Sequence, residues 1–437
     1  MKIGFVSLPV AGHLNPMTAL ARTLQSRGHD VVYIGVPDVE PFARAAGLDF
    51  VPYCEDEYPA GSIARLYAPV SKLHALDVAR SSVRDGLCDL FSAGTKHLPQ
   101  TLADTGVEAL VLDPIHAFLE LVPMSLGMPY VQVWGALQID LSGTSPPCFF
   151  SWPHESTPEA LRRNRNGVEA AKEIFAPITP RAMAYAEQVG LHIDWSDGSA
   201  TMSKLAVIAQ TPKEFDFPGI PWPPQFHYTG PFHDDDGREA IDFPWYALTG
   251  SPLVYASMGT IVNGREHVYR ILLQAAAELP EIQLVLSVGD NVDLDDVGTT
   301  PANTIVVHRA PQIEILTRAA LCVTHAGLNT VLESLARGVP MVAIPVGYDQ
   351  PGVAARIAHH GVGEFVELED LSVRNVRRLI RQVSSDPRYR RKARWFQRVI
   401  AQRSGLEMAA GVIERAFDLV PAGSSERMAG AVSPRRG

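Results

Sequence analysis

Short runs of β-branched and aliphatic residues alternate with amphipathic helical patterns along almost the whole chain, and nothing else constrains its fold as strongly. Parallel strands need a helix-length crossover between them, so this alternation predicts parallel sheets flanked by helices. The first half holds Ile3–Leu8, Val31–Val36, Ala109–Leu112 and Tyr130–Trp134. The second holds Leu253–Ser257, Gln283–Ser287, Thr304–His308, Leu321–Thr324 and Met341–Pro345. Between the two series, residues 212–252 carry eight prolines and the acidic run Asp234-Asp235-Asp236. Proline at that density resists helix and central strand alike. The pattern predicts two similar-sized α/β domains across a cleft, at 1–225 and 253–386, joined by a linker at 226–252. A helix at 387–420 and a small, polar, disordered tail at 421–437 complete the reading.

Charge and cysteine content remove several functions. With 38 basic against 48 acidic residues in 437, the net charge of −10 leaves no field that attracts nucleic acid. The four cysteines show no CxxC spacing and read as isolated reduced thiols of a cytoplasmic protein. No apolar run approaches the roughly 20 residues that span a bilayer, and the opening Met1–Val10 stretch reads as a first strand rather than a signal peptide. Residues 388–403 hold seven basic and no acidic side chains, with Trp395, Phe396, Val399 and Ile400 as an apolar face. The reading favoured is the solvated face of a packed helix; weak contact with an anionic membrane surface is the alternative.

A first site lies beyond the first strand. In Ala11-Gly12-His13-Leu14-Asn15-Pro16, Asn15 reads as a helix N-cap, Pro16 as its first residue and Gly28 as its stop. His13 then falls in the turn at the carboxyl edge of the sheet, where doubly wound domains bind ligands. The G-x-G-x-x-G dinucleotide fingerprint is missing, which argues against an NAD enzyme. Asp113 ends an apolar run at the same edge, and a carboxylate beside His13 would fix its tautomer and stabilise the imidazolium. Without a nucleophile motif, the pair suits a general base acting on a substrate proton.

The second site is more specific. Thr324-His325-Ala326-Gly327-Leu328-Asn329-Thr330-Val331-Leu332-Glu333-Ser334 follows a strand and opens a helix with Leu328, Val331, Leu332 and Leu335 on one face. A small-residue turn at a helix start offers free N–H groups and the positive end of the dipole, hence a phosphate site. With Ala310-Pro311-Gln312 before it and Asp349-Gln350 after it, the stretch resembles the donor-binding signature of family 1 nucleotide-sugar glycosyltransferases. The resemblance spans the chain. Gly12-His13-Leu14-Asn15-Pro16 is similar to that family's base motif, Ser257-Met258-Gly259-Thr260 to its phosphate turn, and the basic C-terminal helix to one that crosses back to the first domain. Bacterial macrolide and carotenoid members look closer than plant ones.

The resemblance implies the GT-B fold, two facing Rossmann-like doubly wound α/β domains, and an inverting transfer of a hexose from UDP-glucose to a hydroxyl. It implies His13 as base and Asp113 as its partner. It assigns Ser257, Gly259, Thr260, His325, Gly327, Asn329 and Thr330 to the diphosphate, Glu333 to the ribose, Gln312 to the nucleobase, and Asp349 and Gln350 to the sugar hydroxyls. Arg309 stands where plant members carry a base-stacking tryptophan; a guanidinium also stacks, and the choice between uridine and thymidine stays open. No cofactor and no metal are implied, and Asp293-Leu294-Asp295 reads as a solvated loop. The acceptor is expected to be a small lipophilic or aromatic alcohol, such as a phenol, flavonoid, macrolide or carotenoid, met by Phe118, Trp134, Phe149 and Phe150. A sugar epimerase on the same fold, or a non-catalytic nucleotide-sugar-binding partner protein, are the alternatives against which His13 and Asp113 speak.

Overall fold

Strands buried on both faces lose the polar alternation of surface strands. The Ala109–Leu112 run is an extreme case, no residue of it being more than 2% exposed. In the computed structural model, which describes residues 1–234, 241–290 and 292–419, such runs build two wholly parallel sheets. The first comprises β1 (Lys2–Val6), β2 (Asp30–Gly35), β3 (Asp49–Pro52), β4 (Ala109–Leu112), β5 (Tyr130–Trp134), β6 (Val207–Ala209) and β7 (Phe226–Tyr228). Its order is β3-β2-β1-β4-β5-β6-β7. The second comprises β8 (Leu253–Ser257), β9 (Gln283–Ser287), β10 (Thr304–Val307), β11 (Ala319–Thr324), β12 (Met341–Ala343) and β13 (Gly363–Phe365), in the order β10-β9-β8-β11-β12-β13.

Both sheets reverse direction of winding beside their first strand, between β1 and β4 and between β8 and β11. A doubly wound sheet opens its ligand crevice outside the carboxyl ends of those strands. The motifs of the sequence fall there: His13 after β1, Asp113 after β4, Ser257 at the end of β8 and His325 after β11.

Two expectations are corrected. Strand β7 lies in the first residues of the expected linker, so the first sheet runs to Tyr228; a three-residue strand at the sheet's edge tolerates the neighbouring prolines because only one side of it must pair. The single C-terminal helix is two. Pro387–Ala401 packs on the Leu328–Ala336 and Val373–Ser385 helices of the second half, and Gly405–Ala416 packs on the first helix, Ala11–Ser26. There Arg27 reaches Glu414 (Nε–Oε1 2.8 Å) and Glu407, and His29 Nε2 lies 3.0 Å from Glu414. The basic helix turns Tyr389, Ala393, Phe396 and Ile400 into the body, which occupies most of the apolar face a membrane would need; Trp395 stays 41% exposed. Among the described residues no helix is long and apolar enough to cross a membrane. The predicted tail at 421–437 lies outside the described residues. All four cysteines are buried free thiols.

Candidate active site

The first helix starts at Ala11, directly after β1, with extended Val10 as its N-cap. His13 therefore occupies the helix's first turn, and Asn15 and Pro16 lie inside the helix instead of opening it. A proline there has no N–H to give the carbonyl four residues back, that of Gly12. The second half of the molecule uses the vacancy: Asn329 Nδ2 donates to the Gly12 carbonyl at 2.6 Å.

His13 Nδ1 stands 2.6 Å from Asp113 Oδ2, with the histidine side chain 14% exposed and the carboxylate fully buried. Backbone N–H groups complete the carboxylate's shell, Leu8 donating to Oδ2 at 3.2 Å and Ile115 to Oδ1 at 3.0 Å. Burial alone would push the Asp113 carboxyl up, but His13 and these donors outweigh it and hold it below the usual carboxylate range. Burial likewise pulls His13 down, yet Asp113 and, more weakly, Asp349 overcome it and raise the imidazole above its ordinary value. With Nδ1–H given to Asp113, Nε2 carries the lone pair.

On the donor side, β11 ends at Thr324 and the chain turns through His325-Ala326-Gly327 into the Leu328–Ala336 helix. Ala326 takes φ +66°, a left-handed conformation that costs a side-chain-bearing residue about 1 kcal/mol or more, and its N–H donates to Thr324 Oγ1. The turn aims the helix's unpaired first N–H groups and its positive end at the crevice. Gly259, at φ +77°, and Gly327 clasp His325: a Cβ on them would stand 2.5 and 2.4 Å from Nε2. Burial drives this imidazole down to about 4, against a small upward influence of the Ser257 backbone. It is a neutral hydrogen-bonding group. Ser257 Oγ accepts the Gly259 N–H at 3.4 Å, and Thr260 is exposed beside it.

Glu333, buried one turn on from Asn329, accepts Gln312 Nε2 at 2.6 Å; the same nitrogen is 3.3 Å from Thr330 Oγ1, and Tyr255 donates to Gln312 Oε1 at 3.0 Å. The residues expected at ribose and base are thus bonded to each other. Arg309, on an exposed loop after β10, gives Nε to Asp290 at 2.7 Å.

The two halves meet at further points. Asn329 Oδ1 accepts Gln210 Nε2 at 2.8 Å, and Gln210 also donates to the Gly135 carbonyl at 2.7 Å. A Cβ on Gly135 would stand 3.6 Å from His13 Nδ1. Asp349 Oδ2 accepts the Leu137 N–H at 2.8 Å. Burial raises the Asp349 carboxyl despite that bond and the nearby His13. Gln350 spends its amide oxygen inside its own turn, on the N–H groups of Val346 and Gly347.

The four expected acceptor aromatics do not form one wall. Phe118 meets Trp195 edge-on at 5.8 Å, and Trp134 packs with Val207, Ala209 and Phe226 in a separate small core. Only Phe149 and Phe150 share a cavity, of about 160 Å³, with Trp152, His74, Pro351 and Glu367. Phe150 stacks on Trp152 at 4.0 Å. The alternation of β5 sends Trp134 to the opposite sheet face from Val133, which loop composition does not reveal. Gln210 escaped the sequence reading although it ends an apolar strand as Asp113 does; Gly135 and Leu137 act through backbone atoms and carry no such signal. Asp293 caps the short turn Leu294–Val297 through the Asp295 N–H, and among the described residues no cluster of three His, Cys, Asp or Glu side chains is placed to hold a metal.

A family model described as UDP-glucoronosyl and UDP-glucosyl transferase matches residues 200–404, a span containing the whole donor-side turn. Over those residues, just under half of its length, the chain is similar to this glycosyltransferase family. The zeaxanthin glucosyltransferase of Pantoea ananas is 25% identical over 94% of each chain. The demethyllactenocin mycarosyltransferase of Streptomyces fradiae is 26% identical over 94% of this chain and 86% of its own. The crystal structure of the glycotransferase of kitacinnamycin superposes with a TM-score of 0.71 and 25% identity, covering 95% of this chain and 98% of that one. The glycosyltransferase has the GT-B fold, two facing Rossmann-like domains.

Proposed function

We propose that this glycosyltransferase moves a hexose, glucose in first place, from UDP to the hydroxyl of a small lipophilic or aromatic acceptor, with inversion at the anomeric carbon. The observation that carries the reading is the 2.6 Å His13–Asp113 pair at the first crevice. It sits within one residue of a contact to the helix that opens the second crevice. His13 Nε2 takes the acceptor proton while the oxygen attacks in line, and Asp113 stabilises the imidazolium so formed. The diphosphate leaves toward the first N–H groups of the Leu328–Ala336 helix and neutral His325, which donate to its growing charge without a cation. Because the Asn329 amide is engaged by the first domain, that helix would serve the phosphates mainly through its backbone. Asp349 reads sugar hydroxyls as a multiple acceptor.

Two similar proteins carry glucosyl and mycarosyl in their names, so the donor is the point to test. Turnover of UDP-glucose, dTDP-glucose and a dTDP-deoxysugar with phenols, flavonoids and carotenoid alcohols is followed by mass detection. UDP-glucose is expected to give the highest kcat/KM, about tenfold above the deoxysugar, because an unpaired buried carboxylate oxygen is costly. Preference for the deoxysugar would overturn the glucose assignment; equal use of both glucose donors would remove the uridine preference alone.

A further inference from the structure

Asp349 opens the Gln350–His359 helix, and the same helix carries Arg356 two turns further on. Arg356 is 2% exposed and pairs across the domain boundary with Asp216, which follows β6: Nη2 and Nε lie 2.6 and 2.9 Å from Oδ1. The guanidinium carbon rests 4.1 Å from the Phe217 ring centre, and Nη1 donates to the Gly352 carbonyl of its own helix at 3.0 Å. Asp216 Oδ1 also accepts the Phe217 N–H at 2.8 Å, while Oδ2 accepts Gln138 Nε2 and the Tyr228 hydroxyl, each at 2.5 Å. Gln138 is the chain neighbour of Leu137, whose N–H holds Asp349. The bonds form a closed circuit from Asp349 through Leu137-Gln138 to Asp216, across to Arg356, and back along two helical turns. The same loop begins at Gly135, packed against His13.

A buried ion pair contributes little net stability compared with apolar residues of the same shape, so its retention calls for another explanation. We infer that Asp216, with Gln138 and Arg356, is a positioning group that sets the donor-sugar carboxylate Asp349 against the acceptor loop Gly135–Gln138 and hence against His13. The inference rests on the proposed reading of Asp349 as a sugar contact. Small displacements at a reacting centre have large effects on rate, which is why a pair outside the crevice can act on the reaction. The nucleoside diphosphate, held from the Leu328–Ala336 helix and the β8 turn, lies outside the circuit. Loss of the circuit therefore separates sugar recognition from nucleotide binding, which general loosening of the fold would not do.

The test uses the full chain with UDP-glucose, a dTDP-deoxysugar and UDP alone. In Asp216→Asn/Arg356→Met, which removes both charges together, the KM for UDP-glucose is expected to rise about tenfold, with the Kd for UDP within about twofold of wild type and the glucose preference narrowed. Gln138→Leu leaves the ion pair intact and should move the same quantities in the same direction by a few-fold; it decides the matter alone if the double variant does not fold. Unchanged KM and sugar preference, or an equal loss of UDP affinity, overturns the inference. Asp349→Asn is run in parallel. If it alters sugar preference and the circuit variants do not, only the positioning role falls; if it is itself without effect, the reading of Asp349 falls and takes the inference with it.

Discussion

His13 and His325 occupy comparable places, each just past a strand that borders a switch point, yet their surroundings drive them in opposite directions. Both pay for burial in the same way. His13 faces the buried carboxylate of Asp113 at 2.6 Å and rises above its ordinary value; His325 faces glycines and a backbone and falls to about 4. One fold thus holds one imidazole that takes up a proton more readily than usual and one that stays neutral, and the difference comes chiefly from one carboxylate, Asp113. Topology supplies the positions, and the chemistry comes from the partner.

The sharpest way to break this comparison is His13→Ala. Transfer to an unactivated alcohol should fall by about 10² to 10⁴, with UDP-glucose binding retained and acidic phenols less affected. Alcohol turnover near the wild-type rate would remove His13 as base. Asp113→Asn should cost about 10² to 10⁴ in kcat/KM, because an amide facing Nδ1 no longer fixes the tautomer. It also tests the sign of the shift. In the wild type, activity should be lost as falling pH protonates His13, whose imidazole is held above its ordinary value by Asp113 against the pull of burial. Without the carboxylate, burial is left to pull the imidazole down, so the acid limb of kcat/KM should move to lower pH. A limb that stays put means another group titrates.

The smallest effect is expected at the other histidine. Gly259→Ala places a Cβ in a left-handed position and 2.5 Å from His325 Nε2. The imidazole must move, and UDP-glucose affinity should drop about tenfold while the acid limb stays where it was. Wild-type affinity for UDP-glucose, measured by calorimetry, should show no titration of His325 above about pH 5. A step in affinity near pH 6.5 would mean that the two histidines are alike after all.

The sequence allowed much of this to be read, for identifiable reasons. Nine of the strands announce themselves as apolar runs, and His13, Asp113 and His325 stand out as polar residues at or past their carboxyl ends. Four strands were missed: β3, β7 and β13 are edges of three or four residues, and β6 lies beside one. Too few side chains are buried there for a period to show. Proline favours a helix's first turn, whereas here the missing N–H of Pro16 leaves the Gly12 carbonyl to Asn329, 317 residues further along the chain from Gly12. Contacts such as Asp349 with Leu137 N–H, or Arg356 with Asp216, depend on how two domains dock; no local pattern encodes that. The aromatic residues failed for a different reason, since their number in a loop says nothing about which way each points.

The packing of the Gly405–Ala416 helix on the Ala11–Ser26 helix has a consequence for how the molecule is made. Arg27 and Glu414 are 387 residues apart in the chain. At about 5 to 20 residues per second, a ribosome needs roughly 20 to 80 seconds between them. Strands β1 to β7 are complete at Tyr228, so for roughly the second half of that interval the nascent first domain has its whole sheet but lacks the helix that covers its own first helix. The emerging protein therefore carries an unfinished flank for most of its synthesis, a natural holding point for a chaperone and a place where premature termination leaves apolar surface uncovered.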